Sequence, residues 1–170
     1  LLEEWETERP KYKGKIRGEW LDRSVRDYAA EWMQEPGIVW VQHQEFAIKL
    51  SDETGVPYFG EMGLDKSGNF IEEHPSNRPL IASLLANGEG RNLQGWNRNL
   101  YIDPPLNALQ GEQSLGRTHR SMQEADEVSA EFLVTVEEHE KQIEKLLLGA
   151  KYQQDMTGQE QKLLYGDWLE

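Results

Sequence analysis

Residues 80–105, LIASLLANGEGRNLQGWNRNLYIDPP, decide the fold. Leu80–Leu84 is continuously apolar, the pattern of a strand covered on both faces rather than one with a wet side. Gly88 and Gly90 follow at its end, then Asn92 and Gln94, and a second apolar run, Leu100-Tyr101-Ile102, stops at Asp103-Pro104-Pro105. Two glycines close to a strand end allow a tight loop beside a phosphate or a partner backbone. A plain turn would show the same two glycines, so this Gly-x-Gly is weak alone. No G-x-x-x-x-G-K-[ST] phosphate loop and no G-x-G-x-x-G fingerprint occurs here.

The same alternation extends in both directions. Trp20, Leu21, Val25, Tyr28, Ala29 and Met33 fall near a 3.6 period, which predicts a helix over 20–34 that Pro36-Gly37 ends. Ile38-Val39-Trp40-Val41 is β-branched and apolar, a buried strand. Phe46, Ala47 and Leu50 predict a helix closing near Gly55, and Val56–Phe59 a second short strand. Residues 60–79 read as a loop. A helix over 106–122, a strand over 130–136 and a last amphipathic helix carrying Ile143, Leu146, Leu147 and Ala150 complete the chain. Continuously apolar strands separated by helices predict an α/β fold: a three-layer domain with a mainly parallel sheet and helices on both faces. Such sheets hold ligands at the carboxyl ends of their strands, where both polar motifs are expected. The expected organisation is a charged N-terminal segment 1–19, a domain 20–155, and a tail 156–170 that packs on the domain.

Length and composition bound the function. The 170 residues suit one domain, with 37% hydrophobic and 29% charged residues. No apolar run reaches membrane-spanning length, and LLEEWETERP does not read as a secretory signal. The absence of Cys rules out disulfides, thiolate metal sites and a Cys nucleophile, and agrees with a cytoplasmic location. The net charge of −13 argues against a general nucleic-acid coat. Residues 121–170 hold twelve acidic and four basic side chains. Residues 78–120 instead hold Arg78, Arg91, Arg98, Arg117 and Arg120 against Glu89, Asp103 and Glu112, so anion chemistry is to be sought there.

Residues 113–120, QSLGRTHR, are the strongest polar feature. Gln113, Arg117 and Arg120 are four and three apart, one side of a helix, and Gly116 allows another backbone to approach closely. Two guanidiniums at one place need a facing anion, and Arg forks suit phosphate oxygens. A pair of structural salt bridges explains the spacing equally well.

Taken together, the two segments resemble motifs V and VI of superfamily-two helicases and translocases, closest to the phage-type and chromatin-remodeller-type branch (DEAD/DEAH-like). Ser83, Gly88, Gly90, Asn92 and Leu93 fit motif V. Gln113, Gly116, Arg117, Arg120, Gln123 and Val128 fit motif VI, and IVWVQH at 38–43 looks like motif IV. The likeness covers roughly residues 20–165. It implies the second (C-terminal) RecA-like lobe of a motor that clamps ATP with Mg²⁺ between two lobes, the metal being held by the first. It implies Arg120 as the arginine finger, Arg117 as its partner, and Gln113 as a polar link across the cleft. Gly88, Gly90 and Gly116 would shape the nucleotide side; Ser83, Asn92, Gln94 and His43 would face nucleic acid, DNA in preference to RNA. The implied partners are the first lobe, in cis or in trans, and nucleic acid, in a bacterial or phage-infected cell. No phosphate-loop Lys motif lies in this chain, so alone it should not hydrolyse ATP. Glu89, between the two glycines of an anion-facing loop, must point away or pair with Arg91.

Two other classes compete. One is a stand-alone or degenerate lobe that binds nucleic acid or protein without turnover. The other is an unrelated α/β enzyme whose Arg pair holds a phosphorylated small molecule, which lacks a convincing nucleophile or base here. Asp65, Ser67, Asn69 and Glu73 have the wrong spacing for a calcium loop. Trp20, Trp32 and Trp40 suit core positions, whereas Trp96, beside the Gly-rich loop, is the one indole left open for base stacking. The alternating Arg9, Lys11, Lys13, Lys15 and Arg17 share one face of an extended chain, a solvated face or a phosphate track.

Overall fold

A computed structural model describes residues 19–119, 123 and 125–166. Apart from Glu19, the charged N-terminal segment lies outside the described residues, as does Arg120. Five strands form one sheet: β1 (Ile38–Val41), β2 (Tyr58–Phe59), β3 (Leu80–Ser83), β4 (Arg98–Tyr101) and β5 (Ser129–Phe132), in the order β2-β3-β1-β4-β5. Every pairing is parallel, with Ile38 opposite both Leu80 and Asn99, Tyr58 opposite Ile81, and Arg98 opposite Ser129.

The apolar strands are buried on both faces because successive side chains alternate between two cores. Val39, Val41, Ile81, Leu100 and Ile102 face one side, where α1 (Ser24–Trp32) brings Ala29 and Trp32, and α2 (Gln44–Thr54) brings Ala47 and Leu50. Ile38, Trp40, Leu80, Ala82 and Tyr101 face the other. There α4 (Ala108–Thr118) contributes Ala108 and Leu115, and α5 (Glu137–Thr157) contributes Ala150. A single turn, α3 (Leu84–Asn87), follows β3 directly.

Local chemistry sets the ends. Gly55 and Gly158 close α2 and α5 at φ of 74° and 70°, the left-handed cap that glycine adopts without strain. Asn107 caps α4 by accepting a hydrogen bond from the Gln110 N–H at 2.9 Å, so the helix starts two residues later than its periodicity suggests. Helix α5 runs to Thr157, beyond Ala150, the last apolar residue read for it.

Residues 60–79 are irregular but ordered around one anchor. Ile71 is fully buried in the α4–α5 core, and Leu64 bridges Phe70 across a turn. The Asp65 carboxylate accepts from the N–H groups of Ser67 and Asn69 and from the Asn69 amide, so it caps its own loop. His74 lies against Phe59 and Trp96, its Nε2 3.1 Å from the Pro79 carbonyl; burial pushes the imidazole below its ordinary pKa.

Beyond α5 the chain turns back. Lys162–Leu164 form a 3-10 turn whose Lys162 and Leu163 N–H groups both donate to the Glu112 carboxylate, at 2.8 and 2.6 Å. Leu163 is buried over Gly111, where an added Cβ would stand 3.0 Å from its Cδ1. Trp168 lies outside the described residues. Deleting residues 161–170 removes a buried leucine worth ~2 kcal/mol and two charge-assisted hydrogen bonds. Thermal denaturation should then show a melting temperature lower by roughly 5 °C or more. An unchanged melt would mean that this packing contributes nothing.

Candidate functional site: the Gly-rich loop and helix α4

Helix α4 descends from the carboxyl rim of the sheet to its amino side. Near its middle, Ser114 Oγ meets the Tyr101 hydroxyl at 2.8 Å; at its last residue, Thr118 Oγ1 accepts from Asn99 Nδ2 at 3.1 Å. The stretch after β3 begins at the rim with Ser83 and runs down beside the helix. Both motifs were expected at the rim. Ser83 and the start of the loop lie there; Thr118, next to Arg117, meets Asn99 in the first half of β4, while the Arg117 guanidinium reaches back along the helix to the Gln113 carbonyl and to Gly88. The physical reason is direction: a helix that follows a parallel strand must run back antiparallel to it.

The structure joins the two segments. Arg117 Nε donates to the carbonyls of Gly88 and Gln113, each at 3.2 Å, and its Nη1 to the carbonyl of Arg91 at 3.4 Å. The Leu93 N–H returns a bond to the Arg117 carbonyl at 3.2 Å. Gln113, half-buried, makes no side-chain hydrogen bond among the described residues and borders a crease of about 250 Å³ with Leu84, Leu85, Gly88, Glu89 and Leu109. Gly88 is tight, since a Cβ would stand 2.5 Å from the Leu84 oxygen. Gly90 has φ of +73°, the region that favours glycine. At Gly116 a Cβ would meet nothing within 4 Å. Packing inside the described domain therefore does not require this glycine, which costs a helix about 1 kcal/mol against alanine.

Glu89 is exposed, and Arg91 pairs instead with Glu72 at 3.2 Å while its guanidinium covers Gly63. Asn92 is exposed and Gln94 half-buried. Ser83 accepts from the Ala86 N–H at 3.3 Å and so caps α3. His43 is exposed at the head of α2, and no hydrogen bond joins it to the loop or to α4. Trp96 is corrected from an open stacking residue to a core one. It is 4% exposed, its indole N–H donates to the Arg78 carbonyl at 2.9 Å, and its ring stacks on His74. Trp20 is half-buried rather than core, bonded to Glu53 and edge-on to Phe46.

Two buried asparagines were missed in the sequence. Asn87 Nδ2 donates to the carbonyls of Phe59, Gly60 and Ser83, which ties the loop to β2. Asn99 accepts from the Trp40 indole at 3.0 Å and donates to Thr118 and to the Ser129 carbonyl. Each stands at the border of an apolar run, Asn87 after Leu84-Leu85-Ala86 and Asn99 before Leu100-Tyr101-Ile102, where an exposed turn residue would look the same. Gln123 holds the chain beyond α4, donating to the carbonyls of Trp96 and Thr118 at 2.8 and 2.9 Å.

A five-stranded, all-parallel sheet with helices on both faces, and a Gly-rich loop fastened to the following helix, defines a RecA-like α/β lobe. The C-terminal part of the Fun30 ATPase domain shares this architecture: TM-score 0.59 and 19% identity, over 85% of this chain and 53% of that one. So does the E. coli DEAD-box protein SrmB, solved bound to regulator of ribonuclease activity A (RraA): TM-score 0.53 and 18% identity, over 75% and 78%. The chain thus spans about half of the Fun30 structure it matches, and at these identities the likeness is one of fold. No family profile matches the chain. No curated protein matches it either. Among the described residues, no helix is long and apolar enough to cross a membrane and no group of three or more acidic or histidine side chains is placed to hold a metal ion.

Proposed function

We propose that this chain is the second motor lobe of an ATP-dependent nucleic-acid helicase or translocase of superfamily two, of the phage and remodeller type, acting on DNA in preference to RNA. One observation carries the reading. The segments that resemble motifs V and VI, far apart in sequence, are fastened together through Arg117 and Gly88 on a RecA-like lobe. In this reading Arg120 is the arginine finger and Gln113 faces the nucleotide across the cleft. Asn92, Gln94, Ser83 and His43 serve the nucleic-acid side. In this reading ATP and its magnesium belong mainly to a first lobe, as the resemblance implies, and the guanidinium and amide groups of this chain face them from the other side of the cleft. The chain's own part is to complete the cleft and to stabilise charge there.

The alternative is a lobe that binds without turnover. Leu85, Leu106 and Leu109 are 79%, 65% and 53% exposed around the Gln113 crease, an apolar patch that suits contact with protein.

Phosphate release decides between them. The isolated chain should show no turnover with single-stranded DNA, duplex DNA or RNA. Joined to a first lobe with its Gly-Lys-Thr loop and Asp-Glu box, it should hydrolyse ATP with stimulation by DNA. Robust turnover by the isolated chain that Arg120→Ala abolishes would defeat the half-motor reading. A two-lobe protein that binds DNA yet never hydrolyses ATP would favour the binding module.

A further inference from the structure

We infer that Arg117 is the positioning residue of the Gly-rich loop, setting Asn92 and Gln94 through main-chain carbonyls. Residues 88–93 have no regular structure, and two of the six are glycines, which raise the entropy lost on ordering. Something must hold such a loop in one shape. Leu93 is buried at its end, and Arg91 reaches sideways to Glu72. Arg117 alone among these residues spans the loop lengthwise, meeting Gly88 at its start and Arg91 near its end from one planar cation. The Leu93 N–H closes the tie through the Arg117 carbonyl.

Three main-chain acceptors define this role. A guanidinium has five N–H groups in a fixed fork, and bidentate phosphate recognition uses an adjacent pair. Nε and Nη1 of Arg117 are committed to three main-chain carbonyls. Turning the guanidinium so that Nε and Nη1 point elsewhere would release Gly88 and Arg91 together. Lysine, a point charge on a flexible stem, cannot bridge both carbonyls in one geometry. That the loop serves a nucleotide cleft rests on the proposed function; the tie between Arg117 and the loop does not.

Hydrogen exchange of the isolated chain, read by mass spectrometry, tests the tie. Peptides covering 86–96 should exchange at least about tenfold faster in Arg117→Ala than in the wild type. Arg117→Lys should fall between, and β4 and α5 should be unaffected. Unchanged exchange over 86–96 overturns the inference. So does an equal rise in every peptide, which marks a general packing role. Should Arg117→Ala not fold, Arg117→Lys carries the same comparison. A second arm titrates a non-hydrolysable ATP analogue into the two-lobe protein. Lost affinity with intact loop protection would make Arg117 a phosphate ligand and overturn the inference. If not even the wild type binds nucleotide, the motor reading fails, and exchange in the isolated chain still decides the role of Arg117.

Discussion

Arg120→Lys in the two-lobe protein is expected to lower ATP turnover by on the order of 10³-fold while nucleotide affinity changes only a few-fold. The reason lies in when charge appears. In the proposed motor a guanidinium beside the γ-phosphate would meet negative charge as it develops during transfer, whereas ground-state binding would be carried by the phosphate loop of a first lobe. Lysine keeps the charge but loses the fork. Arg120 itself lies outside the described residues, but both of its flanks are anchored. Thr118 is fully buried and bonded to Asn99, and Gln123 donates to the carbonyls of Trp96 and Thr118. Steady-state phosphate release beside an equilibrium nucleotide titration separates the two effects. Turnover within a few-fold of wild type would move the finger elsewhere on the lobe or end the cleft assignment.

β1 and β3 were legible because each is a short apolar run that follows Gly or Pro, and burial on both faces removes the need for alternation; β5, expected over 130–136, runs instead over Ser129–Phe132 and is exposed at Ser129 and Ala130. Ile38–Val41 and Leu80–Ser83 fall where their composition places them. Helix α4 was legible as a helix, but not its direction relative to the sheet, which arises only when the strand before it is fixed. Ile71 was hidden because it stands alone among polar residues, and a single buried anchor has no period. Trp96 misled for a related reason. Flanked by Gly95 and Asn97 it looks like a loop residue, and only the Arg78 carbonyl, 18 residues away, makes its burial affordable. The Arg117 contacts were illegible in principle, since their acceptors are main-chain carbonyls and side-chain identity does not encode them. The resemblance to motifs V and VI named the residues that meet without saying how they meet.

Asn99→Ala is expected to destabilise the isolated chain by about 3–5 kcal/mol, a large share of the stability of a domain this size. Asn99 is fully buried in β4 and holds three elements at once. Its Oδ1 accepts from the Trp40 indole of β1, and its Nδ2 donates to Thr118 of α4 and to the Ser129 carbonyl of β5. Truncation leaves a buried indole N–H without its partner and opens a cavity beneath α4. Leucine of similar volume would fill the space but leave the same N–H unpaired, so Asn99→Leu should also be costly. Asn99→Asp keeps the acceptor for Trp40 but turns an oxygen toward the Ser129 carbonyl in a buried setting, which is unfavourable in either protonation state. Asn97→Ala, two residues earlier and exposed, should change stability by no more than about 0.5 kcal/mol. Urea denaturation with an unchanged slope gives the comparison directly. A double-mutant cycle with Thr118→Val should show coupling on the order of 1 kcal/mol between strand and helix. A loss below about 1 kcal/mol for Asn99→Ala would mean that water or repacking satisfies the indole N–H. It would also remove the main polar reason for α4 to sit in the register that brings Arg117 to Gly88.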